Sequence, residues 1–259
     1  MGRAAIAENI ACVTRVWQSI SVVLKALESH QMNVSQAVAK RMSVRAFLDA
    51  PIPKSTIEEI LTKAARAPSG GNVQPWQVHV VTGVPLQAFV DDIAIKFRAG
   101  KLEPAKFESY PKNLRSPHRE YRFENGEALY ETLGLKREDK LGRIEQFANN
   151  FRFFGAPVAM FFTFDKRFEQ AQWSDVGMFM QTIMLLATEA GLATCAQRCW
   201  LRFPDSIATF LGLDENSTVL CGLAIGYADE HAPIIQQVYL FFLTVHYNIG
   251  KTTAAATAM

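Results

Sequence analysis

Apolar positions recur every three or four residues between 10 and 28, at Val13, Trp17, Ile20, Leu24 and Leu27. That is one stripe along a helix. A second helix is expected at 33–40. Pro51 and Pro53 then interrupt the chain. Ser55 stands three residues before Glu58, the pattern of a capping box, so a helix is expected over 55–66. Alternating valines at 78 and 80 predict a strand at about 76–82. Residues 86–98 return to helical spacing.

The segment 100–126 has three prolines, many charges and little periodicity, which predicts a long excursion serving as a lid or interface arm. Helix resumes in 127–135 and 137–151. Residues 156–165 are almost continuously apolar, as expected of a central strand covered on both faces. Residues 174–192 are apolar nearly all round. They begin at Ser174-Asp175 and stop at Gly191, predicting a buried helix. A short helix over 205–213 and a buried strand over 218–229 follow. Helices and strands mix without strict alternation and without repeats. One α+β domain is therefore expected.

Composition narrows the function classes. A net charge of +2 over 259 residues gives no bulk attraction to nucleic acid or to an anionic membrane. No apolar run reaches the ~18 residues that span a bilayer, and the N-terminus makes a poor secretory signal. Cys12, Cys195, Cys199 and Cys221 form no disulfide framework and no zinc constellation, which fits a reducing cytoplasm. Signatures of phosphate-loop, dinucleotide-fold, zincin and serine-hydrolase chemistry are absent. The five histidines are scattered, and His79, inside a strand, reads as structural.

Two local constellations remain. Arg41, Ser43 and Arg45 form R-x-S-x-R, in which two guanidiniums and a hydroxyl could hold an anion; a solvated basic turn is the plain alternative. The stretch 66–76, RAPSGGNVQPW, holds Pro68, Ser69, Gly70, Gly71 and Asn72 ahead of Pro75-Trp76. Its glycines permit close backbone approach to a ligand, although alone it is as readily a surface loop.

Taken in order, R-x-S-x-R, the A-P-S-x-x-N-x-Q-P-W turn, NNFRFFGAPVAMFF, SDVGMFMQTIMLLATEAGLATCAQ and CGLAIGYAD resemble the nitroreductase family of FMN-dependent oxidoreductases, over about residues 32–231. The wording is most similar to nitrobenzoate-reductase-like members. The resemblance implies an α+β fold with a mostly antiparallel sheet flanked by helices. It implies a homodimer with FMN in clefts at the interface and NADPH or NADH as reductant. A small nitroaromatic or quinone acceptor would use the same open ring face, in ping-pong fashion. By position, Arg41 and Ser43 would bind the phosphate and ribityl end, and Arg45 the pyrimidine side of the ring. Pro68, Ser69, Gly70 and Asn72 would serve the partner's flavin. Asn149 and Arg152 would face the polar ring edge, and Gln197, Arg198 and Cys199 would present backbone N–H to flavin N5. No protein acid or base and no metal is implied. A flavin-binding protein without turnover, or an offshoot doing dehalogenation or flavin destruction, are the alternatives.

The chain departs from the pattern at both ends. Residues 1–31 precede the resemblance as an extension expected to be helical. The tail 232–259 lacks the family's basic phosphate clamp, its one lysine or arginine being Lys251. Either Arg41 and its neighbours hold the phosphate alone, or Lys251 substitutes, or the tail derives from a shifted reading frame or natural variant that weakens FMN binding.

Overall fold

The computed structural model describes residues 32–236 and the backbone of two further strands, 243–249 and 252–258. The helix expected at 10–28 and Lys251 lie outside the described residues.

In chain order the elements are α1 (Val34–Lys40), α2 (Lys54–Ala64), β1 (Gln77–Thr82), α3 (Gly83–Arg98), α4 (His118–Thr132), α5 (Lys140–Ala148), β2 (Val158–Asp165), α6 (Gln170–Glu189), β3 (Ala193–Gln197), α7 (Pro204–Leu211), β4 (Ser217–Gly226), β5 (Leu243–Ile249) and β6 (Thr252–Ala258). Four strands form one antiparallel sheet in the order β1-β2-β4-β3. β5 and β6 pair with each other. Among the described residues, no helix is long and apolar enough to cross a membrane.

The sheet is covered on both faces, so β2 is apolar at almost every position. On one face Phe161 and Ala224 meet α3, α7 and an aromatic cluster of Phe89, Phe151, Phe153, Trp200 and Phe203. On the other, Val158, Met160 and Phe162 meet Ile57 and Ile60 of α2 and Val176, Phe179 and Ile183 of α6. From Val158 to Phe162 successive residues face opposite cores, the period-2 rule applied to a central strand; the register with β4 shifts after Phe162.

Several boundaries differ from expectation, each for a local reason. α2 starts at Lys54 with Pro53 at the cap, and the Ser55–Glu58 capping box does not form; Glu58 instead pairs with Lys54 at 3.2 Å. α6 starts at Gln170, where Glu169 and Gln172 cap it reciprocally, and Ser174-Asp175 lies inside the helix. The last third of the 100–126 excursion is helix: α4 begins at His118. β3, not foreseen, is a five-residue strand directly after the turn at Gly191, whose φ of 75° suits glycine.

Candidate functional site

The R-x-S-x-R segment leaves α1 at Arg41, where the backbone turns from helical to extended. It then runs beside β3. Ser43 forms a single parallel bridge with Thr194, and Val44 N–H donates to the Thr194 carbonyl at 3.0 Å. Val44 is buried at 4% exposure, while Arg41, Ser43 and Arg45 stay half-buried. Extended alternation thus places the three polar residues away from the core. Arg45 Nη1 reaches the Ser43 carbonyl at 3.4 Å. Both guanidiniums act on the neighbouring Cys195 thiol by favouring its anion, although burial dominates and pushes it up to about 11. The two cations therefore converge on the β3 edge.

The NNFRFFG stretch is a seven-residue 3-10 segment, Asn149–Gly155, in which Phe153 and Phe154 take φ values of 49° and 55°. Left-handed backbone is strained for bulky side chains. It is held here because Phe153 is fully buried and stacked on Trp200, at 4.5 Å between centroids. Phe47 N–H also donates to the Phe154 carbonyl. Asn149 spends its amide on Gln146 at 3.2 Å. The residue that joins this segment to β3 is Asn150, whose carbonyl accepts from Gln197 Nε2 at 2.7 Å. Only the geometry distinguishes the two asparagines.

Gln197 is 2% exposed, and its Oε1 accepts from Trp200 Nε1 at 3.4 Å. Its side chain is thus committed to fixing the turn, leaving backbone groups of 197–199 as what the turn can offer a ligand. Arg198 is exposed and donates through Nη1 to the Ser109 carbonyl at 3.0 Å. Cys199 packs against the aromatic core, and burial pushes its thiol well above the ordinary range.

The 66–76 turn is anchored elsewhere, on α6. Gly70 N–H donates to Asp175 Oδ2 at 3.2 Å, and Trp76 stacks on Phe179 at 4.7 Å. Ser69 Oγ accepts from the Gln74 N–H at 3.0 Å. The left-handed backbone falls on Gly71 (φ 56°), Asn72 (φ 57°) and Gln74 (φ 47°), so of the two glycines it is Gly71, and not Gly70, that needs glycine's freedom. Pro68, Gly70 and Asn72 stand exposed on the surface.

Arg152 lines a cavity whose walls include neither Arg41 nor Arg45. It is exposed, and the cavity, of about 1090 Å³, lies between α2, β1 and α3, with Ile52, Ile57, Leu61, Val80 and Val158 among its walls. No cluster among the described residues could hold a metal ion.

What the β3 edge offers is two guanidiniums and a hydroxyl close to the 197–199 turn, and no carboxylate lies within 41–45. That donor set fits a phosphate-bearing cofactor. Residues 38–227 match the model of the nitroreductase family. The chain belongs to the nitroreductase family. It is 41% identical to a 4-nitrobenzoate reductase of Pseudomonas putida over 197 residues, which cover 76% of this chain and 86% of that protein. A 4-nitrobenzoate reductase of Nocardioides sp. is 35% identical over 200 residues, 76% of this chain and 81% of that one. Among solved structures, the FMN and NADPH-dependent nitroreductase NfnB from sphigopyxis sp. strain HMH superposes with a TM-score of 0.79 at 44% identity, over 81% of this chain and 94% of that chain. The FMN-dependent nitroreductase NfnB from Mycobacterium smegmatis in complex with NADPH gives 0.76 at 28% identity, over 81% and 95%. The α+β fold with its antiparallel sheet is therefore that of nitroreductases.

Proposed function

We propose that this nitroreductase-family chain is an FMN-dependent enzyme that uses NADPH or NADH to reduce small nitroaromatic or quinone acceptors. The observation that carries the reading is the Arg41-Ser43-Arg45 segment laid along β3 beside the 197–199 turn. Its setting among relatives named as 4-nitrobenzoate reductases supports the substrate class.

FMN, when bound, supplies the two-electron chemistry, accepting hydride from the nicotinamide and passing it to the acceptor. This chain's residues bind and orient. Arg41 and Ser43 hold the phosphate and ribityl end. Arg45 lies toward the pyrimidine edge, where a fixed cation favours negative charge without reorganisation. The turn of Gln197, Arg198 and Cys199 would face flavin N5, with the Gln197 side chain and Trp200 keeping that turn in place. Asn149 lies at the ring's polar edge. Reductant and acceptor take the same place in turn, which gives ping-pong kinetics.

The functional unit is residues 32–231, working as a cytoplasmic homodimer. Pro68, Ser69, Gly70 and Asn72, held out on α6 away from the arginines, serve the flavin of the second subunit. Without the basic clamp expected after residue 231, the phosphate loses one charged contact. This weakens FMN binding by roughly ten- to a hundredfold relative to a clamped site.

The deciding experiment is an absorbance spectrum of the purified protein incubated with excess FMN, followed by anaerobic addition of NADPH. A bound-flavin spectrum that bleaches is expected. Protein that stays colourless sinks the reading. Bound flavin that does not bleach, with NADPH or NADH, turns it into that of a non-catalytic flavin binder.

A further inference from the structure

Between Arg98 and His118 the chain forms neither helix nor strand. This strap, residues 101–117, is held largely by side chains, and Glu103 is its main fastener. α7 begins at Pro204 with no side-chain cap of its own, since Phe203 occupies the cap position. The Glu103 carboxylate supplies the cap from 102 residues away. It accepts the Asp205 N–H at 2.7 Å, the Ser206 N–H at 3.1 Å and the Ser206 hydroxyl. A carboxylate there satisfies free helix donors and complements the helix dipole. Glu103 N–H donates in turn to the Arg202 carbonyl at 2.9 Å.

Three further contacts lay the strap across the molecule. Lys106 pairs with Asp205 at 3.2 Å. Phe107 packs on Trp173 of α6, with centroids 5.0 Å apart. Ser109 gives its carbonyl to Arg198, the middle residue of the turn assigned to flavin N5. The strap therefore runs from the α7 cap across α6 to that turn.

We infer that Glu103 is a specificity-positioning residue: it latches the 101–117 strap as one wall of the acceptor site. The inference rests on the functional reading above. It assigns Glu103 no contact with substrate. Its effect passes through the strap, and so falls on which acceptors fit and not on the chemistry.

The test uses the full chain with Glu103→Gln and Glu103→Ala, the glutamine variant carrying the test if loss of the cap unfolds the alanine variant. Trypsin cleavage at Lys101, Lys106, Lys112 and Arg115 reads the latch directly in FMN-loaded and FMN-free protein. Cleavage within the strap should rise by about tenfold, as expected when charge-assisted bonds are lost. In steady state, KM for 4-nitrobenzoate should rise by roughly five- to tenfold with kcat within about twofold, the pattern of lost acceptor binding. FMN affinity should stay unchanged, and a bulkier quinone should gain relative to 4-nitrobenzoate.

Unchanged tryptic protection in both variants overturns the latch. Faster cleavage with an unaltered ratio of acceptor KM values overturns the role in specificity. If the wild-type chain takes up no FMN, the functional reading fails separately, and proteolysis alone still decides whether Glu103 fastens the strap.

Discussion

Gly70 N–H and Asp175 Oδ2 stand 3.2 Å apart, and Asp175 is only 5% exposed. This bond ties an exposed glycine-rich turn to the buried side of α6. Without it the turn keeps its internal bonds, Asn72 N–H to the Ser69 carbonyl and Val73 N–H to the Gly70 carbonyl, but loses its fixed position. Asp175→Ala should raise the hydrogen-exchange rate of the Gly70 amide by roughly tenfold or more, the equivalent of one charge-assisted bond. Because the turn is proposed to serve the second subunit, FMN affinity should fall in the same variant while the α6 amides keep their protection. Unchanged exchange at Gly70 would show that the turn holds itself.

The two arginines make a sharper prediction. Arg41→Ala and Arg45→Ala each remove a charge-assisted contact, worth about 1.5–3 kcal/mol, from the proposed phosphate site. Fluorescence titration should show FMN affinity reduced by roughly ten- to a hundredfold in each. Arg41→Lys should recover only part of the loss, since an ammonium cannot reproduce planar two-point contact with phosphate. Arg152→Ala should leave FMN affinity unchanged, because Arg152 opens on the α2–β1–α3 cavity.

Much of this arrangement was legible in the sequence, for identifiable reasons. β2 announced itself because both of its faces are covered, so all its positions are apolar. β4 was legible on the same ground; the body of α6 was legible from its apolar length, although it is buried on one face only, with Gly177, Met178 and Gln181 exposed. β3 was missed because five residues, Ala-Thr-Cys-Ala-Gln, carry no pattern of their own; its register with β4 defines it. The start of α6 was misplaced because Ser174-Asp175 looks like a cap, whereas Asp175 is engaged by Gly70 and the true box lies at Glu169 and Gln172. The first part of α4, before Glu127, gave no signal because it presents no apolar stripe, whereas the part from Glu127 was expected as helix. Polar pairing supports it, with Arg143 forked onto Glu127 and lying 4.2 Å over the Tyr130 ring. In the site, local motifs were readable and long-range partners were not. Nothing in the sequence links Gln197 to Asn150, Arg198 to Ser109, or Glu103 to the α7 terminus.

The described cysteines should be chemically silent in the native protein. Burial pushes Cys195 up to about 11 and Cys221 up to about 12, and Cys199 is also well raised. At pH 8 the thiolate fraction of Cys195 is then about one in a thousand. In a Cys12→Ser background, Ellman's reagent should report no reactive thiol until denaturant is added and three afterwards. A fast-reacting thiol in the folded protein would contradict the buried assignment.

His79 predicts the acid limb of stability. Its Nε2 lies 3.0 Å from Thr163 Oγ1, and burial lowers its pKa from 6.5. The folded state therefore binds fewer protons than the unfolded state between the lowered value and about 6.5. Its contribution is fully present above that range and is lost as pH falls through the folded value. Denaturant midpoints should decline as pH falls below about 6.5, and His79→Gln should flatten that slope while leaving midpoints at pH 8 little changed. An equal slope in the variant would move the effect to other groups.

The position of the 197–199 turn depends on a residue with no side chain. Gly222 pairs with Gln197 across β3 and β4, and the Trp200 indole lies directly over it. A Cβ at 222 would overlap indole Cδ1 and Nε1, so even alanine must push the ring away. Trp200 cannot yield easily. It is fully buried, stacked on Phe153 and edge-on to Phe151 and Phe161. Overpacking of this kind costs about 1–3 kcal/mol, and moving the indole also strains its bond to Gln197. Gly222→Ala should therefore lower both the denaturant midpoint and FMN affinity, the second because Gln197 no longer fixes the turn. Gly226→Ala serves as the comparison. A Cβ there meets Phe47 and Pro157, away from the turn, so it should cost stability with less effect on FMN. Equal loss of FMN affinity in the two variants, at matched loss of stability, would mean that the turn is not held through Trp200.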